Sequence, residues 1–424
     1  MLTRIVQPSP KLEAFLASLS LNLSRPQQQH LLELTDALLV CPGDKTLTAL
    51  QQQFLDSTDP SNWADFLRDS PWSPEAVRDS LRRHQLAWLF VEAQRRGFPK
   101  VLYLNIDDSL AKKDKKTCKI QPVDWFHDHN ESTPGKPRYY KAFCYLECTA
   151  RIGDLTATLD LQLYLRAKTV RQLNRCRAPA QRLHFRSKYR LACNILKSLK
   201  PLLPRDWTVY VQFDSWYASE QLLKFIRRQR WHVVCALKSN RKLQGQPLTQ
   251  FATTLEHKWY TRVGVTAADG NKTTYFVRDA IGRLSKIPFD VRVMFSKRHL
   301  RARSRSYFLS TDLACTVVKT LQGYGGRWSC EVVNFYVKTQ LGLEDVRVRS
   351  VEAVDRYIVA VHLAWAYVEQ RFGCERSPTD KCYGDMVRRH RDEHAEAWLR
   401  AALEMGQQTG SVEEVLDRFL KRTG

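Results

Sequence analysis

The spacing of apolar residues divides the chain into a helical beginning, a mixed centre and a helical end. In the first 98 residues, apolar positions recur every three or four residues, which predicts helices over 11–23, 27–39, 47–55 and 74–96. Asp-Pro-Ser and Ser-Pro sequences lie between these segments and indicate breaks. Residues 1–98 are therefore predicted to form a separate helical N-terminal domain.

After residue 100 the apolar period shortens to that of β-strands. Strands are predicted over 101–106, 139–148, 155–165, 208–213 and 231–238, and the alternation of apolar and polar residues is strictest over 155–165. Helices are predicted between them, over 189–199 and 219–229. This alternation of strands and helices predicts an α/β layer over residues 99–245.

Residues 246–312 differ from their neighbours, because short β-rich runs are separated there by Gly, Asn, Asp and basic clusters. We interpret them as a β-rich insertion. Helical spacing returns over 327–341 and 351–372, so residues 313–372 are predicted to complete the α/β layer. Residues 373–424 are predicted to be a helical C-terminal region.

Membrane insertion and disulfide bonding are not expected. The longest nearly apolar stretch, 357–368, is much shorter than the roughly 20 residues of a membrane span, and no secretory signal is readable. The eleven cysteines contain no Cys-x-x-Cys pair and are predicted to be isolated buried thiols. A cytoplasmic protein without a membrane partner is expected.

The charge of the chain indicates a polyanionic partner. Sixty-seven Lys and Arg residues against 44 Asp and Glu give a formal net charge of +23. Twelve basic residues and no acid lie between Leu161 and Arg205, and two further basic clusters occupy 112–116 and 297–305. Clustered like charges repel, and a polyanion relieves this repulsion by counterion release. Nucleic acid is the expected partner, although a solvated surface is the alternative for each cluster.

Acids are conspicuous in so basic a chain. The pair Asp107–Asp108 follows the predicted strand 101–106, and Asp214 follows the predicted strand 208–213. Ligands bind at the carboxyl ends of strands in open α/β sheets, and a few carboxylates there suit Mg²⁺. A turn or a helix cap is the alternative for either acid alone.

A third group of polar residues lies on one predicted helix face. Tyr324, Arg327, Glu331 and Lys338 are spaced by three, four and seven residues, which returns them to nearly one side of a helix. A solvated face with an Arg–Glu pair is the simpler interpretation.

With the two Asp-bearing strands, however, the spacing Tyr-x2-Arg-x3-Glu-x6-Lys resembles the cut-and-paste DDE transposases of bacterial insertion sequences that carry a Tyr-Arg-Glu-Lys motif. Asp107-Asp-Ser is similar to the first acid of that family, and Asp214-Ser-Trp-Tyr to the second. The long separation of Asp214 from Glu331 resembles members with a β-rich insertion.

The resemblance implies a fold, a cofactor and a reaction. The fold is an α/β ribonuclease-H-like catalytic core interrupted by a β-rich insertion, with helical N-terminal and C-terminal regions, the former binding DNA. Asp107, Asp214 and Glu331 are the implied catalytic residues and ligands of two Mg²⁺ ions, for which Mn²⁺ can substitute. Asp108 is the alternative first acid, because adjacent residues of a strand point to opposite faces. The implied reaction is cleavage of transposon ends followed by strand transfer.

The implied partner is double-stranded DNA, both the terminal inverted repeats of the transposon and the target, bound by a homodimer in the bacterial nucleoid. The residues expected to contact DNA comprise the remaining motif residues, two tryptophans and the basic residues of two clusters. They are Tyr324, Arg327, Lys338, Trp328, Trp216, Arg171, Arg175, Arg177, Arg182, Arg186, Lys188, Arg301, Arg303 and Arg305.

Two other functions remain open. One is a transposase-derived protein that binds DNA but no longer cuts it, although all three acids are present. The other is a ribonuclease-H-like metal-dependent nuclease without strand transfer.

Overall fold

The N-terminal region is helical, as its apolar spacing predicts. The computed structural model describes residues 4–56, 59–133, 135–266 and 272–420. Its first helices are α1 (Pro10–Ser18), α2 (Arg25–Val40), α3 (Leu47–Gln51), α4 (Pro60–Arg68) and α5 (Pro74–Arg95). The Asp-Pro-Ser sequence, predicted to be a break, instead begins α4, because the Asp59 side chain accepts a hydrogen bond from the Ser61 N–H and caps this helix. The predicted helix 11–23 is too long, because the chain turns at Ser20, where φ is +49°.

The centre of the chain forms a large sheet flanked by helices. Its first strands are β1 (Val101–Lys112), β2 (Asp124–Thr133), β3 (Lys136–Ile152), β4 (Leu155–Tyr164), β5 (Thr208–Phe213) and β6 (His232–Leu237). The helices between β4 and β6 are α6 (Ala167–Leu173), α7 (Lys188–Leu199) and α8 (Glu220–Arg228). β1, β5 and β6 are parallel neighbours, while β3 runs antiparallel to β1. The sheet is therefore mixed, with its parallel part at the centre.

The predicted β-rich insertion continues the same sheet. β7 (Lys242–Leu243) precedes the insertion and forms a separate two-stranded sheet with β8 (Gln246–Pro247). The insertion then contains α9 (Leu248–Phe251), β9 (Thr261–Thr266), β10 (Lys272–Arg283), β11 (Asp290–Lys297) and β12 (Ser306–Ser310). β12 pairs antiparallel with β6, which gives the order β2-β3-β1-β5-β6-β12-β11-β10-β9, with β4 beside β3. The strands from β9 to β12 thus extend the edge of the central sheet.

The last helices of the described chain close over the sheet and over the N-terminal helices. They are α10 (Val317–Gly325), α11 (Ser329–Thr339), α12 (Val351–Glu375), α13 (Tyr383–Thr409) and α14 (Val412–Phe419). α12 is buried along most of its length, and Trp365 and Leu363 belong to the same hydrophobic cluster as Trp63 and Leu38. The N-terminal helices therefore share a core with α12. The division of the chain at residues 98, 245, 312 and 372 stays a prediction.

None of the helices in the described ranges combines the length and the apolar composition needed to cross a membrane. All eleven cysteines are free thiols, but Cys118, Cys176 and Cys374 are exposed, so the prediction that the cysteines are buried is wrong for these three.

Candidate active site

β1 carries the acidic pair in its middle and not at its end. The strand was expected to stop at Ile106, but its pairing with β3 continues as far as Lys112↔Ala142. Its parallel pairing with β5, in contrast, ends at Asn105↔Gln212. Asp107 therefore lies two residues beyond the last parallel pair on β1, and Asp214 lies two residues beyond it on β5. The parallel register sets both acids level at the carboxyl edge of the parallel strands.

Asp214 is fixed by its own turn. Its Oδ1 accepts hydrogen bonds from the backbone N–H groups of Trp216 at 2.9 Å and Tyr217 at 3.3 Å. An Asp side chain that binds the amides two and three residues ahead stabilises a tight turn, which here leads the chain from β5 towards α8. The same turn leaves Oδ2 available for another ligand.

α10 and α11 bring the third acid to this edge. Tyr324 lies in α10, Arg327 lies in a 3-10 turn over Gly326–Trp328, and Glu331 and Lys338 lie in α11. The spacing predicts one helix face for the four residues, whereas two helices joined by the turn carry them. The turn keeps Arg327 and Glu331 in contact.

Arg327 links Asp107 to Glu331. Its Nη1 donates to Asp107 Oδ2 at 2.6 Å, and its Nη2 donates to Glu331 Oε1 at 3.2 Å. The side chains of Arg327 and Asp107 are mostly buried, while that of Glu331 is 43% exposed. Asp107 from β1 and Glu331 from α11 therefore contact the same guanidinium. Solvent reaches this group through the exposed side chain of Glu331.

The other two motif residues attach the helices to the strands. Tyr324 Oη donates to the Phe213 carbonyl oxygen at 3.3 Å, directly before Asp214. Lys338 Nζ donates to Ser109 Oγ at 2.7 Å, on the face of β1 that also bears Asp107. Burial lowers the pKa of Lys338 and raises that of Tyr324. Tyr324 therefore contacts the residue before Asp214, and Lys338 contacts the residue two positions after Asp107.

Asp108 points to the opposite face of the sheet. Its Oδ2 accepts from Lys188 Nζ at 2.5 Å, and its Oδ1 accepts from Tyr217 Oη at 2.7 Å. Its backbone N–H donates to Asp107 Oδ1 at 2.9 Å. Of the two adjacent acids, Asp107 is the one beside Arg327 and Glu331. The bond between Asp108 and Tyr217 joins β1 to the turn after β5 on the face of the sheet opposite Asp107.

Negative charge accumulates around Asp107. The pKa of Asp107 is raised to about 6: burial raises it most, Arg327 opposes the rise, and the charges of Asp214 and Asp108 add to it. A carboxylate whose pKa is raised in this way favours additional positive charge nearby. The donor set of three carboxylates, with its surplus of negative charge, therefore suits the hard divalent ions that bind oxygen ligands.

Sequence reasoning missed a fourth carboxyl group. Glu147 of β3 is fully buried and pairs across the strands with Asp107. Its Oε1 accepts from Asn334 Nδ2 at 2.9 Å, and burial and Asp107 raise its pKa well above the usual range. The sequence shows Glu147 as the single acid of β3, but it does not show that this acid faces Asp107.

Some of the predicted DNA-contact residues are exposed, whereas others form ion pairs within the protein. Arg177 forms an ion pair with Glu352, and Lys188 forms one with Asp108, so both are held within the protein. Arg305 is half-buried. The exposed members are Arg171, Arg175, Arg182, Arg186, Arg301 and Arg303.

The two tryptophans also differ in exposure. Trp328 is 56% exposed and directly follows Arg327. Trp216 is stacked on Tyr189, with ring centroids 4.7 Å apart and an interplanar angle of 5°. One face of Trp216 is therefore already covered, whereas Trp328 presents its ring to solvent.

Two family models match the chain. A model described as a DDE superfamily endonuclease matches residues 15–257, and one described as a transposase DDE domain matches residues 186–367. Asp107 lies within the first match, Glu331 within the second and Asp214 within both. No protein in a search of curated sequences matches the chain.

A DDE endonuclease depends on a divalent metal ion, typically Mg²⁺, and a transposase domain implies DNA as the substrate. The first match covers more than half of the 424 residues, and the second adds the segment that carries Glu331. The chain belongs to the DDE superfamily endonucleases.

Proposed function

We propose that the protein is a DNA transposase of the cut-and-paste type found in bacterial insertion sequences, with a Tyr-Arg-Glu-Lys motif at Tyr324, Arg327, Glu331 and Lys338. The observation that carries this proposal is the double contact of Arg327 with Asp107 and Glu331, beside the Asp214 turn. Three acids from distant parts of the sequence approach one edge of the sheet, as a DDE centre requires.

Asp107, Asp214 and Glu331 would hold the divalent ions. Two such ions, when bound, activate the attacking oxygen and stabilise the leaving oxygen of a phosphodiester. The raised pKa of Asp107 means that bound cations compete with a proton at this carboxyl group, which favours binding at neutral pH over acid pH. Asp108 is already engaged by Lys188 and Tyr217, which favours Asp107 as the first ligand.

Arg327 and Lys338 are proposed to position phosphate groups. A guanidinium binds phosphate oxygens in a bidentate manner, and an ammonium binds them as a point charge. Both side chains border the acids, so a phosphate that lies over Asp107 would contact them. Trp328, exposed on the neighbouring turn, is proposed to stack on a DNA base.

The strand order supports a ribonuclease-H-like core. In that arrangement the parallel strands β1, β5 and β6 form the centre, with the antiparallel strand β3 beside β1. The strands from β9 to β12 would be the insertion, joined to the core through β12 and β6. DNA binding by the N-terminal helices and a homodimer on DNA remain part of the same proposal.

The test is cleavage of a duplex that carries the DNA flanking this gene, in Mg²⁺ and separately in Mn²⁺. We expect nicks at the element ends, then joined products when target DNA is added. Asp107→Asn, Asp214→Asn and Glu331→Gln should each lower cleavage by about 10³-fold or more, as loss of a catalytic group does. Asp154→Asn, on a 65% exposed acid, is the matched control and should retain activity.

Each alternative outcome has a clear meaning. Binding without any cleavage would identify a retired transposase, and cleavage without joined products would identify a nuclease. Full activity in the Asp214 and Glu331 variants would refute the assignment of the acids.

A further inference from the structure

A second cluster of metal-binding side chains lies away from the candidate active site, where α2 meets α13. His390 Nε2 lies 2.6 Å from Asp36 Oδ1, and His394 Nε2 lies 2.9 Å from the same oxygen. The three donor atoms all lie within 4.8 Å of one another. All three residues are buried, with exposed fractions of 0% for Asp36, 1% for His390 and 4% for His394.

The local structure directs these side chains to one point. His390 and His394 are four residues apart on α13, so both imidazoles project from the same face of the helix. Their ring centroids are 4.9 Å apart. On the facing helix, the second oxygen of Asp36 accepts a hydrogen bond from the Ser9 N–H at 2.8 Å. This bond fixes the orientation of the carboxylate, as partners of metal ligands commonly do.

The buried carboxylate needs a positive partner. Burying a charge is unfavourable unless it is paired or coordinates a metal. Arg371 lies in the same region, but its guanidinium binds Glu375 and Glu393. The described partners of Asp36 are thus two imidazoles and one backbone amide. Burial lowers the pKa of His390, which favours its neutral form, and a neutral imidazole supplies no charge.

We propose that Asp36, His390 and His394 bind one zinc ion that fastens α13 to α2. Two imidazole nitrogens and one carboxylate oxygen are typical zinc ligands, with bonds of about 2.0–2.2 Å. Ligands at tetrahedral angles around such an ion lie roughly 3.3 Å apart, so the present contacts need to open by less than about 1 Å. The fourth position is left for a water molecule.

The surroundings assign this ion a structural role. A cavity of about 290 Å³ is lined by Tyr367 and Arg371, and the Tyr367 ring packs against His390 with centroids 5.6 Å apart. None of the three proposed ligands lines this cavity, and all three are buried from any DNA-sized substrate. The site joins residues near the two ends of the chain, so its ion would stabilise the fold and take no part in phosphodiester chemistry.

Metal content is the first test. The full chain, freed of any purification tag, is loaded with Zn²⁺ alone and dialysed, and zinc is counted by mass spectrometry. We expect the wild-type chain to retain about one zinc ion per chain more than the variant with both His390→Gln and His394→Gln, because any ion held by the candidate active site is common to both chains. His84→Gln, on a half-buried histidine that contacts Gln370, is the matched control and should keep the ion.

A wild-type chain that takes up no zinc would overturn the proposal and leave a purely hydrogen-bonded cluster. Equal zinc content in the wild-type and double-variant chains would overturn it as well, because any bound ion would then lie at another site.

Cobalt substitution tests the site without any variant. Co²⁺ in a tetrahedral site of nitrogen and oxygen ligands gives visible absorption bands, whereas thiolate ligands add an intense charge-transfer band in the near ultraviolet. We expect the visible bands without the thiolate band, and a thermal midpoint that falls when the ion is removed and recovers when zinc returns. A thiolate band, or an unchanged midpoint, would contradict the proposed site.

Discussion

At the scale of single residues, the adjacent acids Asp107 and Asp108 of β1 lie in different electrostatic environments. Asp108 is satisfied by Lys188 and Tyr217, whereas Asp107 is buried near Asp214 and has a pKa raised from 3.8 to about 6. A raised pKa in the folded state means that ionised Asp107 destabilises the fold. Candidate catalytic groups are commonly kept in such unfavourable environments, because the same charge serves the reaction.

Asp107→Asn should therefore stabilise the protein when divalent ions are absent. Asp107 is ionised in both the folded and the unfolded chain above pH 6, and it is protonated in both below pH 3.8. The gain in the free energy of unfolding is therefore full above pH 6 and disappears as the pH falls towards 4. The shift corresponds to about 3 kcal/mol as an upper value, since each pKa unit is about 1.4 kcal/mol. Urea unfolding at pH 7.5 and pH 4 measures the difference.

Asp108→Asn is the control for this prediction. It removes one partner of an ion pair in which both side chains are largely buried, so it should lower stability by about 1–3 kcal/mol at neutral pH. Two variants at neighbouring positions should thus change stability in opposite directions. A destabilised Asp107→Asn protein at pH 7.5 would contradict the raised pKa.

At the scale of elements, the 3-10 turn between α10 and α11 determines where Arg327 lies. Gly326 begins this turn, and a Cβ atom there would collide with the Arg151 guanidinium. Arg151 cannot move freely, because it donates to the carbonyl oxygens of Gly153 at 2.9 Å and Gly323 at 3.0 Å and lies over the Tyr103 ring. A methyl group at Gly326 must therefore displace either Arg151 or the turn.

Gly326→Ala should reduce DNA cleavage by about 10²-fold, because a misplacement of about 1 Å in a positioning group has that effect. Overpacking should also lower the free energy of unfolding by about 1–3 kcal/mol. Gly325→Ala is the matched control, since a Cβ atom there meets only Val265 at 3.9 Å. Equal activity in the two variants would show that the turn does not position Arg327.

Apolar spacing predicted the elements that combine a regular period with burial on one side. Residues 208–213 form β5 as predicted, and the helices predicted over 189–199 and 351–372 are α7 and α12. β2 was missed, because Asp124–Thr133 is polar and its stability comes from pairing with β3. The role of Glu147 was also beyond the sequence, because its neighbour Asp107 is set by strand register and lies 40 positions away in the chain.

At the scale of the whole molecule, the N-terminal helices and α12 stabilise one another. Trp63 and Leu38 share a hydrophobic cluster with Leu363 and Trp365, and the Arg356 guanidinium donates to the carbonyl oxygen of Trp72 at 3.0 Å. Periodicity shows that each segment is helical but does not show which faces meet. The shared core is therefore visible in the packing and not in the periodicity, and the domain boundary at residue 98 stays a prediction.

A chain without residues 1–98 should therefore fail to fold on its own. Removal of residues 1–98 exposes the apolar face of α12, which should cause aggregation or strong binding of a hydrophobic dye. Co-expression of residues 1–98 as a second polypeptide should restore solubility, and this is the control for the deletion. Cooperative unfolding of residues 99–424 alone would instead support an independent N-terminal domain.

The net charge of +23 is also a property of the whole molecule, and it can favour DNA binding only through basic side chains that are exposed. Arg171, Arg175, Arg182 and Arg186 lie in the acid-free segment, and each phosphate that they neutralise should add about 0.9 to the slope of log binding constant against log salt. Replacing all four by alanine should lower that slope by up to about 3–4 in fluorescence anisotropy with duplex DNA. Alanine at Arg95 of α5 and Arg400 of α13 should leave it unchanged, because these exposed arginines already form ion pairs with Glu92 and Glu396 of their own helices. An unchanged slope in the fourfold variant would place the DNA on another surface, because counterion release depends on which charges meet the phosphates and not on the total charge.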